Sequence, residues 1–72
     1  MPEITKSPRQ ERIEGIVGMK ISDFGEYSDG FSFTVTTELE AYKAAYALRE
    51  LGWTSVRKLE SNDMWYIQLI KK

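Results

Sequence analysis

The chain has 72 residues, enough for one small domain, and its 10 basic and 11 acidic side chains leave a formal net charge of −1, without the overall positive charge typical of nucleic-acid binders. It has no cysteine and no histidine, which excludes disulfides, thiolate nucleophiles and zinc sites built on sulfur, and removes the commonest general base and transition-metal ligand. Lack of cysteine fits a reducing compartment, and the opening MPEITKSPRQER has no signal-peptide apolar run, so the chain is expected to be cytoplasmic with no membrane partner.

Met1 to Gln10 holds two prolines, mixed charge and one isolated apolar residue, Ile4. It is expected to be a flexible tail because it cannot bury enough surface to offset its ordering entropy. Residues 11–72 are then a single α+β domain. Within it Glu11 to Ser22 reads as a strand, with Ile13, Val17, Met19 and Ile21 on one parity and Glu14, Gly18, Lys20 and Ser22 on the other. Ile16 breaks this alternation between Gly15 and Gly18, where a bulge is expected.

Asp23 to Gly30 reads as a turn-rich connection, with Asp29–Gly30 as the hairpin signal. Its Asp23-Phe24-Gly25 matches the metal-binding tripeptide of protein kinases. No glycine-rich loop or catalytic-loop motif accompanies it, so it reads as a turn. Phe31 to Thr36 alternates cleanly, with Phe31, Phe33 and Val35 inward and Ser32, Thr34 and Thr36 toward water.

The strongest signal lies in Thr37 to Gly52, TELEAYKAAYALRELG. Thr37 and Glu40 have capping-box spacing, and Gly52 suits the left-handed residue that ends a helix. At about 100° per residue, Ala41, Ala44, Ala45, Leu48 and Leu51 form one face for packing on a sheet. Trp53 is expected to fold back on the last turn. Thr54 to Glu60 and Met64 to Lys71 make a second strand pair around Ser61–Asn62–Asp63. Both faces of the last strand are largely apolar, so it is expected to be central or to have its outer face covered by something, and the strand order itself is left open.

The elements run β-β-α-β-β, for which one antiparallel sheet with one helix across its face is the economical solution. From Phe31 to Ile70 the strand–helix–strand–strand order, with Leu-Gly-Trp closing the helix, is similar to half of a ferredoxin-like or SPOR-type module. The likeness is one of element order and transfers no functional residue.

No nucleophile sits in an activating motif such as Gly-x-Ser-x-Gly or a phosphate-binding loop, and the expectation is a protein without catalytic activity or cofactor. Asp23, Glu26 and Asp29 could offer oxygens to a cation, but their spacing does not match an EF-hand, and they read as a solvated turn. Leu39, Tyr42 and Tyr46 form a second helical stripe beside Arg49, about 100–160° from the alanine face. Tyr66 and Ile70 add apolar surface on the outer face of the last strand.

These six residues are the expected partner-binding set, because four strands offer more apolar surface than one helix can cover. The function expected is therefore a small protein-binding module of the regulator, inhibitor or adaptor type, a size class common among phage-encoded proteins. Its partner would be another protein or a second copy in a homodimer. The competing expectation is single-stranded nucleic acid on the C-terminal hairpin, where Arg57 and Lys58 adjoin Trp53, Trp65 and Tyr66. Arg57 and Lys58 point to opposite faces of a strand, so both tryptophans read as core.

Overall fold

A computed structural model describes residues 8–72. Their elements run α1 (Pro8–Val17), β1 (Ser22–Tyr27), β2 (Gly30–Val35), α2 (Glu38–Ala47), β3 (Gly52–Lys58) and β4 (Trp65–Lys71). Of the tail expected over residues 1–10, residues 1–7 lie outside the described residues, and Pro8, Arg9 and Gln10 open α1.

The strand expected over Glu11 to Ser22 is instead a helix as far as Val17, so the described residues form two helices, not one. Ile13 and Val17 share strand parity, but they are also four apart, the spacing of one helical face. Both are buried. Proline costs nothing at a helix start, where its missing N–H would have no intrahelical acceptor. The left-handed glycine sought at Gly52 is found here: Gly18 has φ 75°, and its N–H donates to the Glu14 carbonyl at 2.8 Å, closing α1. The Glu14 carboxylate then accepts from the Ile21 N–H at 3.0 Å and ties down the next connection.

The segment expected to be a turn-rich connection is largely β1. It keeps one irregularity, a register shift between Ser22 and Gly25, where Asp23 takes φ 52°. Such a bulge suits aspartate, which tolerates the left-handed region better than most residues. Ser28 and Asp29 turn the chain into β2, and Gly30 pairs with Tyr27 as the first residue of the new strand.

In α2 the cap forms as its spacing predicts, with Thr37 Oγ1 accepting from the Glu40 N–H at 3.2 Å. The Glu40 carboxylate takes the Thr36 hydroxyl at 2.8 Å. Ala41, Ala44 and Leu48 are fully buried, whereas Leu51 is exposed. The helix ends near Leu48 through i→i+3 bonds, Arg49 N to Tyr46 O at 3.2 Å and Leu51 N to Leu48 O at 2.9 Å, a tightening that needs no glycine. Gly52 serves another purpose. It opens β3 opposite Lys71, and a Cβ there would fall on the Ile70 carbonyl oxygen.

The sheet order is β1-β2-β4-β3, with all neighbours antiparallel. The last strand is central, the first of the two arrangements its apolar faces allow. Both β2 and β3 run antiparallel to β4, so they are parallel to each other, joined through α2 and split by β4. This is a split β-α-β arrangement, the half-module that Phe31 to Ile70 resembles in element order. Read cyclically from β2, the whole chain follows β-α-β-β-α-β, the ferredoxin-like order.

Ile13 and Val17 from α1 join Ala41, Ala44 and Leu48 from α2 over Phe31, Phe33, Val35, Ile67 and Leu69. Those strand residues share one side of the sheet, so both helices cover the same face. Neither helix is long and apolar enough to cross a membrane.

Gly52→Ala is expected to lower stability by about 1–3 kcal/mol, because the new methyl group cannot enter without displacing β4 backbone; urea unfolding measures it, and an unchanged midpoint would contradict the close approach. The Thr36 hydroxyl is the chief cause that holds the Glu40 carboxyl below its usual pKa, with smaller help from Thr37 and neighbouring backbone N–H groups. A depressed folded pKa contributes stability above the unfolded carboxylate range and loses it as pH falls through the folded value. In an NMR pH titration, the first turn of α2 should therefore loosen only under acid below the usual carboxylate range, and Glu40→Gln should abolish that step.

Candidate functional site

With both helices on one face, no element among the described residues lies over the other side of the sheet. The registers arrange its side chains in three ranks of four across β1, β2, β4 and β3. The first is Ser22, Thr34, Tyr66 and Arg57; the second Gly25, Ser32, Gln68 and Ser55; the third Tyr27, Gly30, Ile70 and Trp53. Successive ranks are two residues apart, roughly 7 Å, except in β1, where the bulge makes Ser22 and Gly25 three apart.

The middle of this face is small and polar. Ser32 and Thr34 were expected to meet water, yet both are buried, at 2% and 3% exposure. Lying between two strands, they are screened by longer neighbours and bonded in place. Ser32 Oγ shares a hydrogen bond with Tyr27 Oη at 3.2 Å. The Thr34 hydroxyl is shared between the Ser22 carbonyl and the Asp23 carboxylate, each at 3.2 Å. These contacts leave no buried side-chain oxygen or nitrogen without a partner among the described residues, as a stable sheet interior requires.

The third rank is apolar and open. Trp53 is 67% exposed, Tyr27 50% and Ile70 41%. Gly30 lies between Tyr27 and Ile70, so the rank is a shallow trough with aromatic ends. Two cations sit beside the aromatics: Arg57 is 5.2 Å from the Tyr66 ring centre and Lys72 is 5.4 Å from that of Trp53, both within cation–π range. None of the twelve ranked positions carries a carboxylate; Asp23, against Thr34, is the neighbouring acid.

The six residues expected to bind a partner fall on two separate surfaces. Leu39, Tyr42 and Tyr46 lie along the outer side of α2, 71%, 54% and 67% exposed, and Arg49 follows in the turn after it. Tyr66 and Ile70 lie on the far side of the sheet with the core between. Arg49 is engaged within the chain: its guanidinium lies 3.9 Å over the Tyr46 ring and donates to the Tyr46 carbonyl at 2.8 Å. Tyr42 leans toward Trp65, the ring centres 6.4 Å apart.

Trp65 is partly buried and packs on the core, in agreement with its core reading. Trp53 does not; it neither folds back on α2 nor enters the core. Of the open face, Tyr27 was missed altogether, while Trp53 and Arg57 were weighed for the nucleic-acid reading but left out of the partner-binding set. Trp53 and Arg57 were legible in principle, since Gly52–Lys58 places Trp53, Ser55 and Arg57 on one parity. Tyr27 was hidden by the turn-like composition of β1.

Asp23, Glu26 and Asp29 do not converge. Asp23 faces Thr34 and Glu26 pairs with Arg9 at 3.4 Å. Among the described residues no group of three or more acidic side chains is placed to hold an ion. No family model matches the chain, and no curated protein or solved structure matches it.

The open positions carry little of the fold. Trp53→Ala and Tyr46→Ala are each expected to change unfolding free energy by no more than about 0.5 kcal/mol. Thr34→Val, which strands the oxygens of Ser22 and Asp23, should cost about 1 kcal/mol. Urea melts of the three variants check the ranking, and unfolding by either aromatic truncation would make that residue part of the core.

Proposed function

We propose that the chain is a non-catalytic protein-binding module of the regulator, inhibitor or adaptor type, docking through the helix-free face of its sheet. The observation that carries this reading is the third rank, where Tyr27, Ile70 and Trp53 present an exposed apolar band across the full width of the sheet. Tyrosine and tryptophan are the residues most often found as interface anchors, because a rigid ring buries much area for little lost entropy. Strands of up to seven residues, four abreast, give a flat footprint of roughly 440 Å2. That is about half of what one partner gives to a standard interface, which fits a transient association or a small homodimer.

A second reading rests on a specific pairing, the cations Arg57 and Lys72 beside Tyr66 and Trp53 on this same face. Aromatic rings with adjacent cations can stack unpaired bases and hold their phosphates. The near-neutral chain supplies little of the electrostatic attraction such binding depends on, so protein docking is preferred.

Solution mass measured across a concentration range tests self-association, and capture from the native host tests a foreign partner. Trp53→Ser combined with Ile70→Ser is expected to weaken either association by about 2 kcal/mol, roughly thirtyfold in dissociation constant. Tyr42→Ala with Tyr46→Ala should leave it unchanged; the reverse pattern would move the docking surface to α2. Fluorescence anisotropy with short single strands separates the second reading, which demands binding at low salt that falls steeply as salt rises.

A further inference from the structure

On the helix-bearing side α1 and α2 do not close completely over the sheet. A cleft of about 460 Å3 lies between α1, the turn after α2 and the adjacent ends of β2 and β4, within the size range of small-molecule sites. Phe31, Leu69 and Ile13 form its floor, and Ile16 and Leu51 stand at its walls. Ile16 and Leu51 are 43% and 47% exposed, apolar residues that the fold itself leaves uncovered.

The rim is cationic, with Arg9, Arg12 and Lys71, and no carboxylate lines the cleft. Arg9 shares its charge with Glu26 at 3.4 Å. Arg12 and Lys71 have no ion pair among the described residues. An apolar trough under the positive charge of Arg12 and Lys71 is complementary to a molecule with an apolar chain and an anionic head.

We propose that this cleft binds a small amphipathic carboxylate, a medium-chain fatty acid. Its chain lies against Leu69, Ile16 and Leu51, and its carboxylate meets Arg12 and Lys71. The cleft is on the opposite side of the sheet from the proposed docking face, so the two ideas stand or fall separately.

The test is a titration of the full chain with decanoate, followed by NMR of the isoleucine and leucine methyl groups. Saturable shifts at Ile13, Ile16, Leu51 and Leu69, with the Trp53 indole signal unmoved, are expected. Arg12→Glu together with Lys71→Glu should weaken decanoate at least about tenfold, while Trp53→Ser with Ile70→Ser should leave it unchanged. Decyltrimethylammonium, with the same chain and the opposite charge, should not compete. The proposal is overturned if the cleft methyls do not respond to decanoate, if charge reversal leaves affinity unaltered, or if the cationic analogue binds equally well. Nuclear Overhauser contacts from Ile4 to Ile13 and Ile16 that persist in excess decanoate would also overturn it, by showing residues 1–7 to be the occupant.

Discussion

The fold depends on one pairing, that of β2 with β4. Phe33 faces Ile67 and Phe31 faces Leu69 across it, and these side chains are nearly or completely buried. Without this ladder the chain would be two separate hairpins, and isolated hairpins are marginal in water. With it, one continuous apolar floor forms, and both helices have somewhere to place Ile13, Val17, Ala41, Ala44 and Leu48. It is a long-range contact in sequence, closing across the whole of α2 and β3, so its loop-closure entropy must be offset by the burial it makes possible.

Two faces of different character follow from that central pair. Alternation sends Phe33 and Ile67 toward the helices and Ser32, Thr34 and Gln68 away from them. The far side is small and hydrogen-bonded at its centre, but large and apolar where Tyr27, Ile70 and Trp53 cross it. The central hydroxyls are satisfied within the sheet, whereas the exposed Tyr27, Ile70 and Trp53 form the apolar part of this face that suits contact with another surface. On the near side, the incomplete closure of the helices concentrates cations where two aliphatic walls remain wet. The described residues thus leave two apolar surfaces exposed, one wide and flat, the other narrow and rimmed by charge.

The candidate site was half legible from the chain. Tyr66 and Ile70 were placed on the outer face of β4 because strict alternation about the core residues Ile67 and Leu69 leaves them no other side. The stripe of Leu39, Tyr42 and Tyr46 was placed correctly on the outside of α2 by the helical period. That these belong to different surfaces could not be read, since it depends on which face α2 covers. Trp53 was misassigned because a residue after a helix-ending glycine often packs back on the helix. Here Gly52 is a strand residue forced by the nearness of the Ile70 carbonyl, and that turns Trp53 outward.

Local chemistry determined α2 with its Thr37 cap, the inward set of β2 and the Asp29–Gly30 hairpin signal, because each rests on neighbours in the chain or on a simple period. Only the tertiary structure decided that Ile13 and Val17 belong to a helix, since the two residues fit either period and the choice is made by what they can be buried against. It alone decided that the turn-like SDFGEY is a strand, for β2 offers it a partner edge that outweighs weak strand propensity. The helix-free face is the joint result of those two outcomes: α1 joins α2 on one side because the apolar floor is there, and the opposite side is left open.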